Sequence, residues 1–250
     1  SPHHLASEAG LRVLREGGTA VEATIAMGAC LAVVYPHMTA IGGDGFWLVS
    51  DNGKPPVAID ACGAAAAATT EELYRSKGLS AVPWRGPLAA NTVAGAVSGW
   101  GEALRLSAEL GGCLPMSRLV EDAVFHGENG FPVTASQTVT TAEKLSQLTD
   151  QPGFAPVYLM AGAAPPEGGV MRLPALARTL RRIGEKGAGD FYEGALAKEI
   201  AADLARIGSP VGAQDLARHR AQRRTPLSVS VRGARLFNFP PPTQGLASLM

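Results

Sequence analysis

The chain opens with two helical patterns separated by glycines. Leu5 to Glu16 places apolar residues at helical spacing and stops at Gly17-Gly18, which predicts an amphipathic helix with a glycine cap. Val21 to Val34 is apolar nearly all round, with Thr19 in position to cap its start and Pro36 to end it. Because a helix without a polar face packs on several sides, we expect this second helix to be buried.

Two apolar runs after the second helix flank a set of turn residues. Phe46 to Val49 and Val57 to Ile59 lie on either side of Asp51-Asn52-Gly53, and an Asn-Gly pair between apolar runs is a strong indication of a β-hairpin. A second hairpin is predicted within LSVSVRGARLFNF, where apolar and polar residues alternate around Arg232-Gly233. The chain is therefore predicted to contain antiparallel strands as well as helices.

Helical patterns fill most of the remaining chain, and the sequence has no internal repeat. Residues 150–171 are rich in Pro, Gly and Ala and are predicted to form a surface excursion. Thr243 to Met250 reads as the beginning of a helix, so we expect one α+β domain over residues 1–250 that is incomplete. The other predicted helices span Thr70 to Lys77, Gly99 to Leu110, Met116 to Gly127, Pro174 to Gly184, Gly194 to Ile207 and Asp215 to Arg220.

The composition argues against two classes of partner. Lys plus Arg and Asp plus Glu each number 22, so the chain lacks the basic excess of a nucleic-acid-binding protein. The longest nearly apolar run, Ala23 to Tyr35, is shorter than the roughly twenty residues that span a bilayer. We therefore expect neither a nucleic acid nor a membrane partner. One local basic cluster is interpreted as a solvated helix end: Arg218, Arg220, Arg223 and Arg224.

The cysteines and the N-terminal segment bear on location. Cys30, Cys62 and Cys113 are odd in number and irregularly spaced, which argues against a disulfide framework and against a zinc site. A reducing compartment is the simpler interpretation. No basic segment of a signal peptide opens the sequence, so a cytoplasmic location is predicted, with the periplasm as the alternative if a signal has been removed.

No single motif in the sequence indicates catalysis, since GxSxG, HExxH, CxxC and P-loop patterns are all absent. His37 follows a helix end near the glycine-rich loop and is the histidine placed where a pocket is expected, although a structural role is the simpler interpretation. Cys62 has no base assigned to it, so a small loop residue is favoured over a nucleophile. The other histidines are interpreted as solvated, surface or helix-capping residues: His3, His4, His126 and His219.

Three segments together resemble one protein family. LREGGTAVEATIAMGACLAVVYPHMTAIGGDGFWLV, DFYEGALAKEIAADL and DLARHRAQRRTPLSVSVRGARLFNFPPPTQG look like the large subunit of the γ-glutamyltranspeptidase family, in family order and over nearly the whole chain. The resemblance implies an α+β, N-terminal-nucleophile hydrolase fold, which is a four-layer αββα sandwich. This chain would form the large-subunit part of that sandwich.

The resemblance also implies a chemistry whose nucleophile lies outside this sequence. In the family a precursor cleaves itself, and the new N-terminal threonine of the small subunit attacks the substrate amide with its own α-amino group as base. No metal or organic cofactor is required. Thr243 aligns with a serine after the prolines and is not that nucleophile. No catalytic residue is therefore assigned in this chain, and the small-subunit portion of the same precursor is its expected partner.

Cys62 departs from the family pattern. In true γ-glutamyltranspeptidases the strand IDF precedes an arginine that binds the glutamyl α-carboxylate, whereas AIDACGAA places Cys62 there. The charge-assisted contact that is lost contributes about 1.5–3 kcal/mol. AIDACGAA, with YPHM and GGDGFWL, looks most like the oxamate amidohydrolases, which release ammonia from the amide of a two-carbon acid. The residues expected to bind substrate are Cys62 and three candidate carboxylate donors: His37, Arg85 and a backbone nest at Gly42-Gly43.

Three other functions remain compatible with this pattern. The chain could belong to a γ-glutamyl transferase or hydrolase whose carboxylate anchor has moved, for example to Arg85. It could belong to a cephalosporin- or glutaryl-acylase-like enzyme, which has no glutamyl α-amino acid to hold. It could also be a non-catalytic binding or scaffold protein that kept the fold and lost the nucleophile.

The sequence carries two further structural expectations. Gly42, Gly43 and Gly45 should form a turn before the first strand, in which the backbone takes positive φ or packs closely against a pocket wall. An incomplete domain should also expose a large apolar surface, an expectation motivated by the nearly all-apolar helix Val21 to Val34 and by the unfinished helix at Leu246 to Met250.

Overall fold

The computed structural model describes residues 1–250, and it combines helices with three small antiparallel sheets. Most predicted helices are present within a few residues of their expected bounds. In chain order the elements are α1 (His4–Arg15), α2 (Ala20–Val34), β1 (Gly45–Val49), β2 (Val57–Ala61), α3 (Glu71–Ser76), α4 (Ala96–Glu109), α5 (Met116–Leu119), α6 (Glu121–Asn129), β3 (Phe131–Pro132), α7 (Ala135–Leu148), α8 (Phe154–Tyr158), β4 (Val170–Met171), α9 (Pro174–Lys186), α10 (Gly189–Tyr192), α11 (Ala195–Ile207), α12 (Ala213–Arg218), β5 (Gln222–Arg224), β6 (Leu227–Val231), β7 (Ala234–Asn238) and α13 (Gly245–Leu249).

Side-chain caps set the beginnings of the first two helices. The His3 ring accepts a hydrogen bond from the backbone N–H of Leu5 and is buried, so the interpretation of His3 as a solvated residue is wrong. Thr19 and Glu22 form a reciprocal capping box at the start of α2. The fully buried Glu22 carboxylate also accepts a hydrogen bond from the N–H of Leu114 at 2.9 Å, which ties α2 to the loop before α5.

The second helix lies in the interior of the helical part of the fold. α1, α4 and α6 all contact α2, and Ile25, Ala29 and Val33 are fully buried. Burying a side chain of the size of Ile25 stabilises the fold by roughly 1.5–3 kcal/mol. The prediction that α2 is buried is confirmed, so this helix is not where the expected apolar surface is exposed, because neighbouring helices cover it. None of the helices has both the length and the apolar character that crossing a bilayer requires.

The first two strands form the predicted hairpin, and a third strand extends their sheet. Asn52 and Gly53 take positive φ in the turn, at 34° and 80°. β5 pairs antiparallel with β2, which gives the order β1-β2-β5. The sequence did not predict β5, because Gln222–Arg224 is short and lacks the apolar alternation of a strand. The second hairpin, β6–β7, turns at Arg232-Gly233 as predicted.

Carboxylate partners explain two of the arginines that were interpreted as a solvated helix end. α12 ends at Arg218, and Arg223 and Arg224 lie on β5. Arg223 Nε is 2.6 Å from Glu102 Oε1, and Arg223 Nη2 is 2.6 Å from Glu109 Oε1. Glu102 is buried in α4, so the ion pair joins β5 to that helix. The helix-end interpretation is wrong for these two residues because they lie on a strand, although both remain exposed.

The three-stranded sheet has one covered face and one open face. α4 contacts β1 and β2 on the face that carries the fully buried Ile59. On the opposite face, Phe46 and Leu48 are 45% and 46% exposed, and we call this the open sheet face. Phe239 contacts Phe46 edge-on, with 5.3 Å between the ring centroids. Apolar exposure at the C-terminal end is present as expected, at Leu246 and Met250.

Two glycines allow α4 to begin directly against the end of β2. A Cβ atom on Gly95 would lie 1.9 Å from the carbonyl oxygen of Ala61. A Cβ atom on Gly63 would lie 1.5 Å from the carbonyl oxygen of Val93. Both distances are far below van der Waals contact, so only glycine permits this approach of two backbones. We call this contact between Gly63, Gly95, Ala61 and Val93 the glycine seam.

The largest differences from the predicted elements lie between residues 116 and 171. The helix predicted from Met116 to Gly127 is divided into α5 and α6 at Val120. α7 was not predicted, because its Thr- and Gln-rich sequence has little apolar periodicity, although Thr134 caps it. Residues 150–171 were expected to be irregular and instead include α8 and β4, which pairs with β3.

Replacing Gly63 with alanine in the full-length protein is expected to lower the free energy of unfolding by about 1–3 kcal/mol, because the new methyl group overlaps the Val93 carbonyl. Gly42→Ala is the matched control, since its Cβ would have no atom within 4 Å. We expect that variant to change stability by less than about 0.5 kcal/mol. Urea unfolding measures both values, and equal losses in the two variants would contradict the glycine seam.

Candidate functional site

Gly42 and Gly43 lie in the turn that precedes β1. Neither these glycines nor Gly45 takes positive φ, and a Cβ on Gly42 would meet no atom within 4 Å. The predicted turn before β1 is present, but the expectation that its glycines take positive φ is wrong. The turn is held by hydrogen bonds instead, because the Gly43 carbonyl accepts from the N–H groups of Gly95 and Ala96, both at 2.8 Å. The start of α4 thus fixes the peptide group that joins Gly43 to Asp44.

Two carboxylates and a thiol meet at the end of β2, and we call Asp44, Asp60, Cys62 and Gly63 the Asp44–Cys62 cluster. Asp44 accepts a hydrogen bond from the N–H of Gly63 at 2.9 Å and another from the Cys62 thiol, with 3.6 Å between Sγ and Oδ2. Asp60 accepts from the N–H of Cys62 at 3.0 Å. Because Asp60 pairs with Phe46 in the strand register, its side chain lies on the open sheet face.

The electrostatics of the cluster keep the thiol neutral. Burial raises the pKa of Cys62, and the negative charges of Asp44 and Asp60 raise it further. Arg224 supplies a positive charge on the other side of Asp60, with 3.7 Å between Nε and Oδ2. Because the thiolate is the nucleophilic form, a thiol with a raised pKa is a poor nucleophile. In this geometry Cys62 is a half-buried hydrogen-bond donor.

His37 lies against α7 and has no contact with the Asp44–Cys62 cluster. Its Nε2 atom is 3.1 Å from Ser136 Oγ, and its ring packs edge-on against Tyr35 with 4.2 Å between centroids. Burial lowers the pKa of the ring, whose Nδ1 atom is buried without a hydrogen-bond partner. A cavity of about 470 Å³ is lined by the adjacent Pro36 and Thr39 but not by His37.

Arg85 likewise has no contact with the cluster. Its side chain is exposed, and its one hydrogen bond goes to the carbonyl oxygen of the neighbouring Trp84 at 3.4 Å. The structure therefore brings Gly42, Gly43 and Cys62 into one region. His37 and Arg85 lie elsewhere in this chain.

A second polar group beside the glycine seam was not predicted from the sequence. Ser98 Oγ and His219 Nε2 are 2.7 Å apart, and the Tyr192 hydroxyl accepts from the N–H of Ser98 at 2.9 Å. α12 ends at Arg218, and the extended backbone of His219 turns its ring inward. The interpretation of His219 as a surface residue is wrong, because the residue is only 8% exposed.

Asp60 carried a signal that the sequence reasoning did not use. It is an acidic residue inside the apolar strand β2, and its side chain is only 12% exposed. A buried carboxylate requires hydrogen-bond or charge partners. The structure supplies them as the Cys62 N–H and Arg224, so the pattern AIDA could have indicated a polar cluster at this position.

Known proteins match the sequence along its whole length. The family model described as gamma-glutamyltranspeptidase matches residues 6–250. The oxamate amidohydrolase proenzyme of Klebsiella pneumoniae subsp. pneumoniae is 52% identical over 250 residues, which cover 100% of this chain and 47% of that protein. The glutathione hydrolase-like YwrD proenzyme of Bacillus subtilis is 39% identical over 251 residues, again covering 100% and 47%. The chain thus spans about half the length of the curated relatives that it matches.

Solved structures match the fold. The γ-glutamyltranspeptidase of Helicobacter pylori superposes with a TM-score of 0.90 at 31% identity, covering 98% of this chain and 70% of that chain. The cephalosporin acylase of Bacillus halodurans superposes with a TM-score of 0.87 at 32% identity, covering 95% and 44%.

We expect Asp44→Asn to increase the rate of Cys62 alkylation by iodoacetamide several-fold at about pH 8. Removing the Asp44 charge lowers the pKa of the thiol and so increases the reactive thiolate. Asparagine retains an oxygen acceptor for the Gly63 N–H. Peptide mass spectrometry gives the rate, with the exposed Cys113 as internal reference. If the ratio of the two rates does not change, the Asp44 charge does not control this thiol.

Proposed function

Because the chain belongs to the γ-glutamyltranspeptidase family and has part of its N-terminal-nucleophile hydrolase fold, we propose that it is the large-subunit portion of an amidohydrolase for a short acid amide such as oxamate. The observation that carries the proposal is Cys62. It stands at the end of β2, where the resemblance places the carboxylate-binding arginine of the γ-glutamyltranspeptidases. The relationship to an oxamate amidohydrolase proenzyme along the whole chain supports it.

The charges around Cys62 disfavour a glutamyl substrate. Asp44 and Asp60 both contact Cys62, and the thiol between them stays neutral because its pKa is raised. A glutamyl α-carboxylate at this position would meet two like charges and no arginine fork. Arg224, the cation in contact with the cluster, already faces Asp60. A two-carbon acid is short enough to bind without occupying this position.

The chemical steps are proposed from the family. A threonine outside this chain attacks the amide carbon through its hydroxyl oxygen, and its α-amino group takes the hydroxyl proton. The C–N bond then breaks, and ammonia leaves with that proton. Water hydrolyses the resulting ester, which gives oxalate from oxamate and restores the threonine. These steps use no metal or organic cofactor.

This chain would supply one wall of the substrate site, formed by Gly42, Gly43 and the Asp44–Cys62 cluster. Among the predicted carboxylate donors, the Gly42-Gly43 backbone borders the cluster, so we favour it over His37 and Arg85. The partner we propose is the small-subunit portion of the same precursor. Both curated relatives are named proenzymes, and each is about twice as long as this chain. The three free cysteines favour the cytoplasm as its location.

A γ-glutamyl hydrolase is the alternative that a specific observation favours, because several relatives are named glutathione hydrolases. That activity needs a carboxylate anchor other than Cys62. Arg85, the candidate for a relocated anchor, makes no contact with the cluster. A cephalosporin- or glutaryl-acylase-like activity draws support from the similar cephalosporin acylase structure.

Steady-state kinetics of the processed full-length enzyme test the proposal. We expect efficient hydrolysis of oxamate and weak turnover of a γ-glutamyl anilide. Cys62→Arg should increase kcat/KM for the anilide by at most roughly 10- to 150-fold, the factor that corresponds to a contact of about 1.5–3 kcal/mol. The increase will be smaller to the extent that Asp44 and Asp60 draw the guanidinium away from the substrate.

Cys113→Arg is the matched control, because it makes the same change at an exposed cysteine outside the cluster. It should leave both values of kcat/KM unchanged. Efficient γ-glutamyl transfer by the wild-type enzyme without oxamate hydrolysis would overturn the proposal and favour the alternative.

A further inference from the structure

The first turn of α4 is capped by groups from distant parts of the chain. Its N-cap residue is Gly95, which has no side chain to accept from the free N–H groups of the turn. The Gly43 carbonyl accepts from Ala96 at 2.8 Å, and the Tyr192 hydroxyl accepts from Ser98 at 2.9 Å. Tertiary partners therefore replace the usual local cap.

Ser98 connects this turn to His219, which lies 121 residues further along the chain. The Ser98 hydroxyl oxygen is 2.8 Å from the Gly95 carbonyl and 2.7 Å from His219 Nε2. The carbonyl can only accept, so the hydroxyl donates its proton to Gly95. The hydroxyl oxygen must then accept from His219, which places the ring proton on Nε2.

Tyr192 and His219 form a buried polar pair around Ser98. Tyr192 is 4% exposed and donates its hydroxyl proton to the Ala94 carbonyl at 2.8 Å. Its ring lies against that of His219, with 5.2 Å between the centroids. Burial, the largest effect, and the charge of Arg220 lower the pKa of His219, while Asp44 and Asp60 oppose that shift. The neutral ring has one N–H group, which donates to the Ser98 hydroxyl oxygen.

Ser98, Tyr192 and His219 hold the residues at the start of α4, and those residues contact the proposed substrate wall. Gly95 is part of the glycine seam, in which it lies against the Ala61 carbonyl, and Ala94 precedes it in the chain. The N–H groups of Gly95 and Ala96 hold the Gly43 carbonyl, and the next residue, Asp44, holds Gly63. A continuous series of hydrogen bonds and backbone contacts therefore runs from His219 to the Asp44–Cys62 cluster.

We propose that Ser98, Tyr192 and His219 are positioning residues that hold the wall formed by Gly42, Gly43 and the Asp44–Cys62 cluster in its substrate-binding geometry. The proposal rests on the proposed function, because it assigns that wall to substrate binding. Polar side chains buried at this depth contribute less to stability than apolar packing would, since each must be desolvated. Their hydrogen bonds do fix the orientation of the groups that they contact. Here they orient the first turn of α4, which positions Gly43 and Asp44.

The test compares four variants of the processed full-length enzyme: Ser98→Ala, His219→Leu, the double variant, and His219→Gln. Ser98→Ala and His219→Leu should each raise KM for oxamate about tenfold while kcat changes less than about twofold, because a displaced wall weakens binding of substrate and transition state alike. The double variant should resemble the single ones, because both break the same contact. His219→Gln should restore KM to within about threefold, since its amide can donate to Ser98.

Alkylation of Cys62 in the same variants is a readout that does not depend on the substrate. A loosened contact between Asp44 and Cys62 should increase the alkylation rate several-fold in Ser98→Ala and His219→Leu, and His219→Gln should reverse the increase. If wild-type enzyme does not hydrolyse oxamate, the proposed function fails, and this rate alone decides the inference. If His219→Leu does not fold, Ser98→Ala decides it.

Two results would overturn the proposal. One is a lower Tm in the single variants with KM for oxamate and the Cys62 alkylation rate unchanged, which would assign the Ser98 and His219 side chains to stability alone. The other is a failure of His219→Gln to restore either readout while the variant folds as stably as wild type.

Discussion

The approach of α4 to the end of β2 is the contact on which the candidate site depends. Two backbones meet there without side chains between them, which Gly63 and Gly95 permit. A helix start normally satisfies its free N–H groups with a local cap or with water. Here the Gly43 carbonyl accepts from the N–H groups of Gly95 and Ala96, and the Tyr192 hydroxyl accepts from that of Ser98, so three of these groups are satisfied. The hydrogen bonds that cap α4 are therefore the same ones that position the Gly42-Gly43 turn, so a displacement of the helix start would displace the turn as well.

The charge arrangement at the end of β2 follows from this contact. Asp44 and Asp60 would suit a cation between them, but Cys62 is the residue that lies there. The carboxylates are satisfied instead by backbone N–H groups, the thiol and Arg224. An arginine at this position would have a ready pair of counter-charges and could orient a substrate carboxylate. With cysteine, the centre of the cluster is a neutral thiol, and the acidic residues Asp44 and Asp60 lie beside it.

The open sheet face is where we expect the proposed partner segment to pack. α4 covers one face of the three-stranded sheet, while Phe46 and Leu48 remain about half exposed on the other. In the four-layer sandwich of the family, a second sheet packs on such a face. The relatives are about twice as long as this chain, so they contain further residues that could form that sheet. Asp60 lies on the open face, so we expect the partner segment that buries Phe46 to complete the substrate site as well.

The sequence determined the parts of this protein that depend on local order. Periodicity and caps gave α1, α2 and most other helices, Asn-Gly gave the first hairpin, and three motifs gave the family and the unusual Cys62. Helical periodicity did not reveal α7, whose polar residues repeat without a clear apolar stripe. Only the tertiary structure decided that β5 pairs with β2, that Gly63 and not Gly42 is sterically required, and that His219 meets Ser98. Those contacts join residues far apart in the chain, so they impose no period on the neighbouring sequence, and only the folded backbone brings the partners within hydrogen-bond distance.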